Sequence, residues 1–360
     1  MLSSVGVGDA TASPTAALLL SILQESAGRI ATILFAHRFG TSLEPECKMY
    51  RLLADVLNDF AFVLDCLSSA FPRAIRVVIL SFSSVLRALC GVAAGSAKAS
   101  LSAHFARWGN LGELNAKDSS QETVISLIGM LAGSVVVTWI TTPIANWTTL
   151  VLLLAIHLET NRRAVRAVSM RTLNRQRATI VYHHLKRGRV PTPEEVSKQE
   201  RIFEWDGVLR DGNDRVIGHC TVGASLGEYL TVSSSAHKAT GSFETSDDLT
   251  ALMTENAAGD CLLTSSGRSG GSLRFVMVLT KGTKSVDILA AWWTALAVAE
   301  SNVSGEQVRS EVKGKRPTVQ ALLEKYTADL TMAGWDLATG AMETKSSPRV
   351  TITSPQAHLL

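Results

Sequence analysis

Formal charge is missing from one long part of this chain. Between Thr123 and Leu158 there is no Asp, Glu, Lys or Arg, a stretch far longer than the ~20 apolar residues that cross a bilayer core as a helix. A helix in water must keep a wet face, so this absence argues for contact with a membrane. Cysteine is scarce as well. The five present (Cys47, Cys66, Cys90, Cys220 and Cys261) are scattered and odd in number. Without a C-x-x-C pair, neither a zinc site nor a disulfide framework is indicated, and a reducing compartment is the default. The N-terminus lacks the basic segment of a secretory signal. No repeat of solenoid period is present, and no Ser-His-Asp or Cys-His set can be assembled. Gly6 and Gly8 precede a helix but no strand precedes them, so the phosphate-cradle fingerprint is incomplete. No cofactor is indicated.

What is there divides in two. Hydrophobic residues make up 46% of 360 residues, and the mean hydropathy is +0.18. That is high for a protein in water and low for one wholly embedded in lipid. Residues 1–160 are rich in Leu, Ala, Val and Ile, whereas 200–360 read like an ordinary globular domain. The net charge is only +3, yet nine Lys or Arg between Glu159 and Val190 face a single acid. A basic cluster leaving an apolar run fits the positive-inside rule, which predicts that segment 162–189 faces the cytosol or an equivalent compartment, with the organelle unknown. Nucleic acid is the rival partner for any basic run. No aromatic interleaving or groove-reading motif accompanies this one, and no nucleic-acid partner is expected.

Periodicity predicts helices over 14–36, 48–70 and 73–107, then two short helices or one broken one over 123–158, interrupted at Thr141-Thr-Pro143 because proline removes a donor. Gly129 and Gly133 make a G-x-x-x-G, read as ordinary tight packing rather than a dimer motif. A basic amphipathic helix is expected over 159–187, with His183 and His184 on its surface, and Pro191 and Pro193 begin a linker. The expected organisation is a helical, membrane-associated domain at 1–190, a linker at 191–200 and an α+β domain at 201–360. In the last, Asp211-Gly212-Asn213-Asp214 between 202–209 and 215–222 signals a hairpin. Thr264–Gly271 is polar and Gly-rich, and Gly267-Arg-Ser-Gly-Gly271 within it reads as a flexible loop; 273–280 reads as a strand, Trp292 and Trp293 sit on a helix, and a last helix runs from Pro317 to Gly334. The fold class is mainly α: a membrane-associated helical bundle followed by a small α+β C-terminal domain.

Two polar groups stand out. Lys48, Arg51, Asp55, Asn58, Asp59 and Asp65 recur three or four apart, hence on one helix face. They either line a polar path between helices, since ionisable groups at membrane depth are costly and usually functional, or form the wet face of an amphipathic helix. Lys117, Asp118, Gln121 and Glu122 precede the charge-free stretch. With Arg107 they could hold a small phosphorylated ligand; alternatively they are a loop in which Asp118 or Ser119 caps the next helix. The expectation is that Arg51, Asp55, Asp59, Lys117, Asp118, Gln121 and Glu122 converge into one ligand-binding polar site. No catalytic or metal-ligating residues are expected.

Val5-Gly-Val-Gly-Asp9, Ile33-Leu-Phe-Ala36, Arg51-Leu-Leu-Ala-Asp-Val-Leu-Asn-Asp59, Gly91-Val-Ala-Ala-Gly95, Ala116-Lys-Asp-Ser-Ser-Gln-Glu-Thr123 and Asn161-Arg-Arg-Ala-Val-Arg-Ala-Val168 with Thr172-Leu-Asn174 occur in order. The chain resembles the Root UVB Sensitive family over residues 5–190, and Ala333-Gly-Trp335 extends the likeness. Two departures matter. Family members usually carry a further segment before the first motif, which predicts a missing first helix here, and Ser21-Ile-Leu-Gln-Glu25 stands where Trp and Asp are usual. The resemblance implies a membrane-associated protein tied to vitamin B6 homeostasis and the ultraviolet-B response, whose members associate with one another. It carries no catalytic residues. The expected function is therefore non-enzymatic, acting through membrane lipid and homo- or hetero-oligomeric family partners, with a small-molecule ligand as a further candidate partner. The alternative is a transporter-like half-unit moving a small polar metabolite such as a B6 vitamer. An enzyme of vitamin B6 metabolism is the third reading, with no visible constellation to carry it.

Overall fold

The computed structural model describes residues 14–106, 109–140, 142–233, 261–269, 272–301, 303, 307–346 and 348–351. The Val5–Asp9 motif, Arg107, Gly270 and Gly271 lie outside the described residues. The chain forms two compact units that part between Val168 and Ser169.

The first unit is helical: α1 (Pro14–Phe39), a 3-10 turn (Gly40–Ser42), α2 (Cys47–Ser68), α3 (Arg73–Phe105), α4 (Leu111–Trp139) and α5 (Pro143–Ala167). The expected interruption is present. Thr142 is extended and its hydroxyl accepts a hydrogen bond from the Ala145 N–H at 3.2 Å, while Pro143 takes the first helical position, where a missing N–H costs nothing. α2 packs against α3 and α5, α1 packs on α3, and α4 touches α3. Ala54, Ala61, Ala93 and Ala97 are fully buried, so small side chains let α2 and α3 approach closely. The glycines of that section are not the contact: a Cβ at Gly91 or Gly95 would meet nothing within 4 Å. The same holds at Gly129 and Gly133, so the tight packing expected of that motif is absent among the described residues.

This unit is inside-out. On α2 the buried residues include Lys48, Asp55 and Asp59, while Val56, Phe60, Phe62 and Leu67 are exposed. No residue of α4 is buried, and Ile125, Leu131, Val137 and Trp139 are two-thirds exposed or more. α1 shows Leu18, Leu19, Ile33 and Leu34 outward in the same way. Residues 74–105 of α3 and the whole of α4 are long and apolar enough to cross a membrane.

The second unit is mixed: α6 (Arg175–Lys186), α7 (Pro193–Gln199), β1 (Val208–Arg210), β2 (Val216–Val222), α8 (Leu226–Ser233), β3 (Cys261–Ser269), β4 (Ser272–Leu279), α9 (Ser285–Glu300) and α10 (Gln307–Met332). The sheet order is β1-β2-β4-β3, antiparallel at both edges and parallel between β2 and β4. α9 supplies the centre of the core. Its Trp292 and Trp293 are fully buried, and their indole N–H groups donate to Thr179 Oγ1 at 3.0 Å and to the Ala178 carbonyl at 2.9 Å. The hairpin turn is where the sequence placed it: Asp211 Oδ1 accepts from the backbone of Asn213 and Arg215, and Asp214 adopts a φ of 65°. At Gly207, φ is 75° and a Cβ would stand 2.6 Å from the Cys220 carbonyl oxygen, so only glycine fits.

Several expectations are corrected. The boundary at 190 falls instead after Val168, because α6 belongs to the second core. The expected linker 191–200 contains α7, closed by a capping box in which Thr192 and Glu195 satisfy each other's backbone N–H groups. The continuous helix over 159–187 is broken at Val168–Asn174, where the Asn174 side chain caps α6 by accepting from the Arg177 N–H. Of the loop expected over 267–271, residues 267–269 belong to strand β3, with Ser269 paired to Ser272. α10 starts ten residues before Pro317 and carries that proline inside it.

Candidate functional site

The polar stripe of α2 turns inward. Arg51 Nη1 donates to Asp55 Oδ1 at 3.0 Å, one helical turn away. One turn further, Asp59 Oδ2 lies 3.0 Å from Nδ1 of His157 on α5. Asp55 and Asp59 are 7% and 5% exposed. Asp55 Oδ2 is buried with no hydrogen-bond partner among the described residues, and Arg51, His157 and Asp59 all act on its charge. A buried carboxylate oxygen in this state is costly to leave unmade. Along the same helix Asp65 pairs with Arg87 of α3, whose guanidinium lies 4.8 Å from the Phe62 ring centroid. The result is a row of acids on α2, each met by a base, with one acceptor left over.

The block before the charge-free stretch is elsewhere. It is helical from Leu111, so Asp118 and Ser119 lie inside the helix rather than capping it; Asn110 precedes its first turn without a side-chain cap bond. Lys98 of α3 reaches Asp118 at 2.7 Å and Glu122 at 2.8 Å. Lys117 pairs with Glu113 on its own helix, and both are exposed, as is Gln121. The seven predicted site residues therefore do not form one site. Arg51, Asp55 and Asp59 stand together with His157 between α2 and α5, while Asp118 and Glu122 clamp α3 to α4 and Lys117 and Gln121 face outward. Sequence reading missed His157 and Arg87. His157 was legible, being the one titratable side chain inside the stretch from Thr123 to Leu158.

The basic segment is also less free than its composition implies. Of its nine Lys or Arg, at least six meet carboxylates among the described residues: Arg162 and Arg163 at Glu159, Arg175 at Asp206, Arg177 at Glu200, Lys186 at Glu300 and Arg189 at Glu195. Arg177 is 1% exposed and structural, holding Glu200 at 2.7 Å and the Thr172 carbonyl at 2.7 Å. Nor is His183 a surface residue: Nε2 lies 2.9 Å from the Arg210 carbonyl, and burial lowers its pKa. Among the described residues no group of three or more His, Cys, Asp or Glu could hold a metal ion.

Fold and site together define a class: a helical unit with ionisable groups inside and apolar side chains outside, carried on a chain with a small α+β unit of ordinary polarity. The chain belongs to the family of the vitamin B6 photo-protection and homoeostasis domain, whose model matches residues 1–188. Similar proteins include RUS family member 1 of Dictyostelium discoideum, 36% identical over 56% of this chain and 40% of that protein. Protein root UVB sensitive 3 of Arabidopsis thaliana is 35% identical over 60% of this chain and 49% of its own length. Protein root UVB sensitive 5 of Arabidopsis thaliana is 24% identical and aligns over 94% of this chain and 65% of its own, so that likeness reaches the second unit. The chain spans about half the length of the first two relatives. No solved structure matches.

Proposed function

We propose that this chain is part of a non-enzymatic, membrane-associated protein serving vitamin B6 homeostasis and the ultraviolet-B response through association with family members. The carrying observation is the inverted polarity of α2, with Lys48, Asp55 and Asp59 buried and Phe60 and Phe62 exposed. In water that arrangement wastes the hydrophobic effect twice, by burying charge and by wetting rings. In lipid it is the favourable one, since ionisable groups there face the bundle interior. The family description supports the vitamin B6 role. Arg162, Arg163 and Arg166 at the end of α5 would face the cytosol or an equivalent compartment, with a weaker pull than the composition suggests because Glu159 meets two of them. Alkaline carbonate extraction tests the proposal: the chain should stay in the membrane pellet, and full release into the supernatant would overturn it.

A transporter-like half-unit is the second reading, favoured by Asp55 Oδ2 inside the helices, which has no hydrogen-bond partner among the described residues. A carried amine or hydroxyl would supply the missing donor. Uptake of pyridoxine into reconstituted vesicles should then exceed that of empty vesicles and fall in Asp55→Ala. Equal uptake with and without protein removes this reading.

A further inference from the structure

The α2 row holds one acid whose charge is not fully answered. With His157 neutral, Arg51, Asp55, Asp59 and His157 together carry one negative charge. Arg51 is spent on Asp55 Oδ1 and His157 on Asp59, which leaves Asp55 Oδ2 without a donor among the described residues. Other cations of the row do not make up the difference. Lys48 stands seven residues back on the same helix, about 10 Å along its axis, and Arg87 is paired to Asp65. From α3 the facing titratable group is the half-buried thiol of Cys90, on which both carboxylates act, and a thiol brings no positive charge.

Two properties of that oxygen select its ligand. It is sealed: Asp55 is buried and Oδ2 shows essentially no surface to water. An amine, a hydroxyl or a metal ion could reach it only if the helices part, whereas a proton needs no room. It also stands where an ionised carboxylate with an unmade bond costs far more to bury than a neutral acid with one. A way in is present. His157 meets Asp59 through Nδ1, and its side chain is 42% exposed. Arg162 follows on α5 within about 8 Å along the helix axis, so the imidazole lies close to the polar end of its helix.

We propose that Asp55, Asp59 and His157 form an exchangeable proton-binding site, with His157 as its entrance and Asp55 Oδ2 as the seat of the proton. In the step, one O–H bond of hydronium breaks and water leaves, one O–H bond forms on Asp55, and the group passes from one negative charge to none. The site uses the same oxygen as the transport reading but does not depend on any cargo. Infrared difference spectroscopy on the full chain in detergent tests it. At about pH 7, where exposed aspartates with a pKa near ~4 are ionised, the wild type should show the carbonyl band of a protonated carboxylic acid. That band should fall away reversibly as the pH is raised to about 9, persist in Asp118→Asn and vanish in Asp55→Asn. Asparagine copies the shape of the neutral acid and carries no charge, so Asp55→Asn should melt with the wild type. Exchange of sodium for potassium should leave the pH midpoint unchanged. A band with no vesicle uptake of pyridoxine keeps the proton site and drops transport, and uptake with no band does the reverse. The proposal is overturned by the absence of the band, by a band that survives Asp55→Asn or never falls with pH, by a midpoint that follows the sodium concentration, or by an Asp55→Asn chain that fails to fold, since the last would show that the charge itself is required.

Discussion

The two units solve the same packing problem with opposite polarity. In the second, Trp292, Trp293, Phe275 and Leu296 are buried, and ion pairs such as Lys198–Glu194 and Arg201–Asp214 lie at the surface. In the first, acids and a lysine of α2 are inside while leucines, isoleucines and phenylalanines face out. α2 in the first unit and α6 in the second are both periodic and amphipathic. The lesson is that amphipathicity identifies two faces but not which of them meets the surroundings; the medium decides that.

The comparison can be broken in stages. The largest effect belongs to the second core: Trp293→Ala should cost about 3–5 kcal/mol, as large-to-small changes of buried aromatics do, read as a lower urea midpoint for the unfolding of that unit. A loss near zero would mean the core is not where the structure puts it. Next comes the outer face of the first unit. Leu131→Arg on α4 should be unfavourable by about 2.5–3.5 kcal/mol if the helix crosses a bilayer, seen as a shift of the chain from pellet to supernatant. An unchanged distribution would mean that α4 is in water and the polarity contrast is not due to lipid. A smaller effect is expected inside. His157→Ala leaves Asp59 buried without its partner, at a cost of about 1–3 kcal/mol, and thermal melting in detergent measures it; no change would remove His157 from the row. Smallest of all, Lys117→Ala should leave both membrane partition and melting unchanged, because its one ion pair among the described residues is exposed. A marked loss would restore Lys117 to the site from which its outward position now excludes it.

The helices were legible wherever apolar spacing was regular, as in α1 to α3, and so was the break at Pro143. Residues 111–122 were not, since a segment polar all round carries no hydrophobic period. What makes it helical is the Glu113–Lys117 pair one turn apart and the clamp of Lys98 on Asp118 and Glu122. The start of α10 was hidden because Pro317 looks like a first-turn residue, although here the helix runs through it. Half of the α2 site was readable from the i, i+4 spacing of Arg51, Asp55 and Asp59. His157, 98 positions past Asp59, could be joined to it only by the fold.

The indole bonds of α9 bear on how this protein can be cut. Ala178 and Thr179 accept their hydrogen bonds from Trp293 and Trp292, more than a hundred positions downstream. A fragment trimmed at residue 188, where the family match ends, would keep α6 and discard everything that covers it. Val181 and Leu185, buried in the whole chain, would then be bare, and such a piece should clump during purification. The cleaner place for a protease site or a split reporter is beside Val168 and Ser169, where neither half loses its own interior.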